Sequence, residues 1–161
     1  MVVGDIMGDR FIAIYALLHL LKRYKDKYKR SLDGRTRLQK MIFLLGEEYG
    51  TKLFEYVPYY FGPYSFELRD LLDELKFYGL VIEYSDDYGY YYDITKEGIS
   101  ALELFEEQLE KKSELKKKKG EITKAIDDII SRFGKCSRKE IIDYVYSKYK
   151  DYVPKKVELN W

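Results

Sequence analysis

The strongest constraint on the fold lies between Gly34 and Gly79, where two leucine-rich helical stripes flank a run of aromatic residues. In GRTRLQKMIFLLGEEYG, Leu38, Met41, Ile42, Leu45 and Tyr49 recur at three- and four-residue steps and so share one helical face. In FELRDLLDELKFYG, Leu68, Leu71, Leu72 and Leu75 do the same, and Ser65 stands where an N-cap belongs. The intervening TKLFEYVPYYFGPYS predicts an extended segment closed by a turn at Gly62-Pro63-Tyr64. The residues that follow, GLVIEYSDDYGYYYDIT, predict two short strands around a turn at Asp86-Asp87-Tyr88-Gly89. Two helices followed by a hairpin are the layout of a winged helix-turn-helix. The expected fold class is therefore mainly α with a small β-hairpin.

The flanking chain extends this plan. A first helix is expected from Asp9, as N-cap, to about Tyr28, with Phe11, Ile14, Tyr15, Leu18 and Leu21 inward and the loop SLDG after it. Its apolar run, FIAIYALLHLL, is too short to span a bilayer, and nothing around it resembles a signal peptide, so no membrane association is expected. After the hairpin, Ile94-Thr95-Lys96-Glu97-Gly98 opens a long helix through Ile99, Leu102, Phe105 and Leu109 that ends in Lys116–Lys119, with Gly120 as its stop. A C-terminal helical pair follows. Its first helix carries Ile122, Ala125, Ile126, Ile129, Ile130 and Phe133 and ends at Gly134, while Ser137 and Glu140 make a capping box for the second. This divides the chain into a winged-helix domain (1–110), a helix end or linker (111–120) and a helical hairpin with tail (121–161). The tail Lys155–Trp161 is an edge strand or a loose end.

Composition narrows the class of function. Apolar content of 46% with 35% charge is that of a soluble globular protein. One cysteine, Cys136, excludes an internal disulfide and fits a reducing, cytoplasmic setting. Abundant Lys, Glu, Ile and Tyr, with few amides, suggest a heat-adapted source. His19 and Cys136 are too few for an ordinary structural zinc site. There is no glycine-rich phosphate loop and no identifiable acid/base pair, so no catalytic residue, metal or cofactor is expected.

Net charge is only +1, yet it is unevenly spread. Lys22–Lys40 holds nine basic residues against Asp26 and Asp33, a local excess of +7. Phe66–Asp87 holds Arg69 and Lys76 against seven carboxylates, a local excess of −5. The helix and hairpin that would normally enter the grooves of DNA are thus the acidic ones, and would repel phosphate by roughly several kcal/mol unless Arg69 and Lys76 dominate locally. The nucleic-acid candidates are instead Lys22, Arg23, Lys25, Lys29, Arg30, Arg35, Arg37 and Lys40. Their alternative role is a solvated helix end, or a surface answering the acidic half of a second copy.

Partner-binding candidates lie elsewhere. On the outer face of the third helix, Phe66, Asp70, Asp73 and Phe77 fall together opposite the leucine stripe. They form a protein-contact surface or are covered by later helices. Gly62, Pro63 and Tyr64 belong to a turn that either contacts a partner or only positions the Ser65 cap. The tyrosines of the aromatic run and of the hairpin either stack unpaired bases or pack one face of a small sheet.

LQKMIFLLGEEYG, Tyr60-Phe61-Gly62-Pro63-Tyr64-Ser65 and the spacing Leu68-x-x-Leu71-Leu72-x-x-Leu75 resemble the YwgA-like group of prokaryotic proteins. They are similar, more distantly, to the Panacea (SocA-like) domain, which shares an LQK-type helix and a YGP-type turn. Tyr92–Gly98 also resembles the wing-to-helix junction of PadR- and MarR-type regulators. The resemblance implies a winged-helix fold and, for Panacea relatives, work as antitoxins or proteolytic adaptors. The chain departs from Panacea in lacking a tryptophan near the turn and in carrying the C-terminal pair. The leading expectation is a non-enzymatic regulator that binds DNA conditionally through Lys22–Lys40. The alternative is an adaptor or antitoxin-like module that grips a protein through the third helix; a homodimer is compatible with either.

Overall fold

Helix α1 (Val2–Tyr28) runs through the core of the computed structural model, which describes residues 2–154 and the side chains of 8–154. A helix apolar on every side must be covered on every side. Ile12, Ala13, Tyr15, Ala16, Leu17, Leu18, Leu20, Leu21 and Tyr24 are all buried. The helix begins well before Asp9, so that residue lies within it rather than at its cap. The loop after it holds a two-residue strand, β1 (Leu32–Asp33), and helix α2 (Arg35–Tyr49) follows, with Arg37 through Leu45 all buried.

The aromatic run folds differently from the expected extended segment. Strands β2 (Val57–Tyr59) and β3 (Gly62–Tyr64) pair antiparallel, Tyr59 opposite Gly62, so the chain reverses at Tyr60-Phe61. The Gly-Pro-Tyr stretch is therefore the returning strand and not the turn. Gly62 has φ +106, and a Cβ there would stand 3.0 Å from the Tyr146 ring and 3.4 Å from Lys40 Cε, so strand β3 needs glycine to lie this close to α2. Ser65 accepts the amide of Leu68 and caps α3 (Phe66–Phe77), whose four leucines are buried as their spacing requires.

Strands β4 (Val81–Asp86) and β5 (Gly89–Ile94) form the expected hairpin, and β1 adds a third strand in the order β1-β5-β4. Thr95 then caps α4 (Lys96–Leu109). The expected helix stop at Gly120 is not there: the break falls between Leu109 and Ser113, and α5 (Ser113–Phe133) continues through Gly120. A helical glycine costs only about 1 kcal/mol. Each of the buried Ile122, Ile126, Ile129 and Ile130 returns about 1.5–3 kcal/mol by leaving water. The capping box of Ser137 and Glu140 opens α6 (Arg138–Lys148), and a short 3-10 turn covers Lys150–Tyr152. Helices α5 and α6 pack on α1 and α2 within the same hydrophobic core. The molecule is thus mainly helical with small antiparallel sheets. The expected edge strand at Lys155–Trp161 lies outside the described residues.

Candidate nucleic-acid interface

The start of α2, the tips of both hairpins and the α5–α6 turn surround a cleft of about 850 Å³. Its lining contains Arg30, Arg35, Arg37, Lys40, Lys135 and Arg138 against a single carboxylate, Asp33. That carboxylate is already engaged, by the Tyr24 hydroxyl at 3.0 Å and by Arg37 at 3.4 Å. The α2 N-terminus faces the same space. Its N-cap is Gly34, at φ +99, which offers no side chain to the first amides of the helix.

The cations of the cleft are held mainly by aromatic rings. The Arg35 guanidinium lies 3.6 Å from the centre of the Tyr90 ring, and Arg138 lies 4.3 Å from that of Phe61. Lys135 sits over Tyr28, and Arg30 contacts the rings of Tyr24 and Tyr28. Among the described residues, Arg30, Lys40, Lys135 and Arg138 form no ion pair, and Arg35 reaches only Glu83, at 3.8 Å. A ring face positions a cation without cancelling its charge, whereas a carboxylate does both.

Two of the cleft cations are buried, for different reasons. Arg37 donates to the carbonyls of Asp33, Phe133 and Cys136 at 2.6–3.0 Å and ties the start of α2 to the α5–α6 turn. Its donors are largely spent on backbone, so the expectation that it contacts phosphate is corrected: it is a structural tie. Lys40 is only 2% exposed and donates to a single carbonyl, that of Pro63, at 3.3 Å. Burial, with a contribution from Arg138, pushes its amine down to about 8.

The remaining basic candidates do not line the cleft. Lys22 pairs with Asp26 at 2.8 Å, Arg23 with Asp127 at 3.0 Å, and Lys25 with Asp93. Lys29 is exposed at the left-handed residue that ends α1. Of the eight candidates, the structure brings together Arg30, Arg35, Arg37 and Lys40. Lys135 and Arg138 were missed, because they lie about a hundred residues further along the chain. Their signal in the sequence was two cations flanking the Ser137 cap.

The partner-binding candidates also separate. Gly62 and Pro63 are buried and Tyr64 is half-buried, so the exposed-turn reading is corrected: the reversal at Tyr60-Phe61 turns them inward. Phe66 packs against Tyr59, Tyr64 and Arg69. Asp70 and Asp73 are exposed and pair with Arg69 and Lys76. Phe77 is 83% exposed and stands against the ring of Tyr78, which is 68% exposed.

Compared with protein-family models and with curated proteins, the chain matches none. The resemblance of Gly34–Gly79 to the YwgA-like group rests on the quoted residues alone. Among the described residues, no group of three or more His, Cys, Asp or Glu side chains is placed to hold a metal ion, and no helix is long and apolar enough to cross a membrane.

Proposed function

We propose that this chain is a non-enzymatic regulatory protein of winged-helix type that binds nucleic acid through the cationic cleft rather than through α3. The order of elements supports the winged-helix part: α1, β1, α2, α3, then a hairpin whose second strand lies between its first strand and β1. The β2–β3 hairpin is an insertion between the two central helices. One observation carries the binding part. In a molecule of net charge +1, six cations converge on one concavity with one occupied carboxylate, and most of them rest on rings that leave their charge available. A polyanion is the ligand that such a site favours.

The salt dependence of binding tests this. Log affinity for nucleic acid falls linearly with log salt, and replacing Arg35 and Arg138 with alanine flattens the slope by about one unit for each phosphate no longer neutralised. Arg23→Ala, which removes a cation already paired with Asp127, leaves the slope unchanged. A double variant with the wild-type slope refutes the cleft as the binding surface.

A second reading has its own observation. The exposed Phe77–Tyr78 pair at the end of α3 is an apolar surface suited to a protein partner or a second copy. Phe77→Asp abolishes such an association, and light scattering at low and high salt detects the self-association form of it. Unchanged mass and unchanged partners in the variant remove this reading.

A further inference from the structure

We infer that the nucleic acid taken by the cleft is single-stranded, with its backbone on the cations that line the cleft and its bases stacked on the aromatic rings of the two hairpin tips. This rests on the nucleic-acid reading above and adds the form of the strand.

Three features favour an unpaired strand over a duplex. The first is the depth of the charge. Duplex DNA is read by an element that projects into its major groove, about 12 Å wide. Here the charge lines a concavity in which Lys40 is 2% exposed and Arg35 and Arg138 are exposed. A flexible backbone can bend into that space, and a stiff helix cannot.

The second feature is the projecting helix. Helix α3 shows Glu67, Asp70 and Asp73 to solvent, and its cations Arg69 and Lys76 are already paired with Asp70 and Asp73, so the element that would enter a groove offers phosphate no cationic excess.

The third is the exposed rings. At the β2–β3 tip Tyr60, packed beside Tyr59, and Phe61, with Arg138 on one face, are each about half exposed, and Tyr88 at the β4–β5 tip is 92% exposed. The β4–β5 turn is closed by Asp86, which accepts the amides of Tyr88 and Gly89, so the Tyr88 ring has no part in closing it. Every base has a face that stacks on such rings, but only an unpaired base can turn that face outward. Cations and exposed rings lining one concavity make the pairing of electrostatic groove and stacking platform used for single strands.

Fluorescence anisotropy on the full chain tests the inference, using a labelled oligothymidylate of about 12 nucleotides, a duplex of the same length and polyglutamate as competitor. The expected result is at least tenfold tighter binding of the single strand, with Tyr88→Ala losing about tenfold on the strand and little on the duplex. Equal or tighter binding of the duplex, or a strand preference that survives Tyr88→Ala, overturns the single-strand inference and leaves the proposed function standing. Displacement of the strand by polyglutamate at equal charge overturns it in favour of an acidic peptide. Binding of neither nucleic acid removes the proposed function itself.

Discussion

Helix α2 carries a charge toward each end, and the two are treated in opposite ways. Near its C-terminus Glu48 receives Arg132 at 2.8 Å, Tyr144 at 2.6 Å, Tyr149 at 2.9 Å and Lys148 at 3.1 Å, all from α5, α6 and the residue after them. Nearer its N-terminus Lys40 is more deeply buried, yet it has one carbonyl at 3.3 Å and another cation as a neighbour. A charge surrounded by donors holds helices together. A buried charge left short of partners weakens the fold and could be satisfied by a ligand's anion, as in the proposed function.

The largest effect is expected where a buried cation is fully engaged. Arg37→Ala removes the tie between α2 and the α5–α6 turn, leaves buried carbonyls without donors, and should cost about 3 kcal/mol in urea unfolding. A loss below about 1 kcal/mol would show that Arg37 belongs with Lys40 rather than with Glu48.

The Glu48 centre should be worth less, and its signature is pH. Burial alone would raise this carboxyl, but the donors of Tyr144, Arg132, Lys148 and Tyr149 pull it down from 4.5 to about 2. Its contribution is therefore complete above about pH 4.5 and is lost as pH falls toward 2. Glu48→Gln should cost about 2 kcal/mol at neutral pH and remove that part of the acid transition, as followed by circular dichroism.

Lys40→Met should change stability least and in the other direction. Because burial lowers the amine from 10.5 to about 8, the folded wild type is penalised below pH 8, and its stability rises between 8 and 10.5. The methionine variant should gain about 1 kcal/mol at pH 7 by thermal unfolding, lose the alkaline rise, and bind nucleic acid several-fold more weakly. A variant that is both less stable and unimpaired in binding would erase the contrast between the two ends of α2.

The parts of this architecture written in the sequence are those that depend on near neighbours. The leucines of α3, the Ser65 and Ser137 caps and the Asp86–Gly89 turn all follow from residues within a few positions of one another. The misplaced features are those where distant packing decides. Gly120 carries a helix stop signal, yet the isoleucines that follow it are buried against α1 and keep the helix intact. Gly62-Pro63 has turn chemistry, yet pairing with β2 and close approach to α2 make it a strand. The cleft was legible piecewise, as the cations of Arg30–Lys40 and as two tyrosine-rich stretches, but not as one site. Lys135 and Arg138 come from a segment about a hundred residues further on, and no local pattern records that these pieces meet.

The Arg37 tie has a consequence for how the molecule comes to be competent. Two of the three carbonyls that hold that guanidinium, those of Phe133 and Cys136, and the arginine resting on Phe61, belong to the last segment of the chain to be synthesised among those that line the cleft. A molecule lacking the α5–α6 turn would lose the Lys135 and Arg138 wall of the groove and leave Arg37 held by Asp33 alone, so the shape of the concavity depends on segments about a hundred residues apart being in place together.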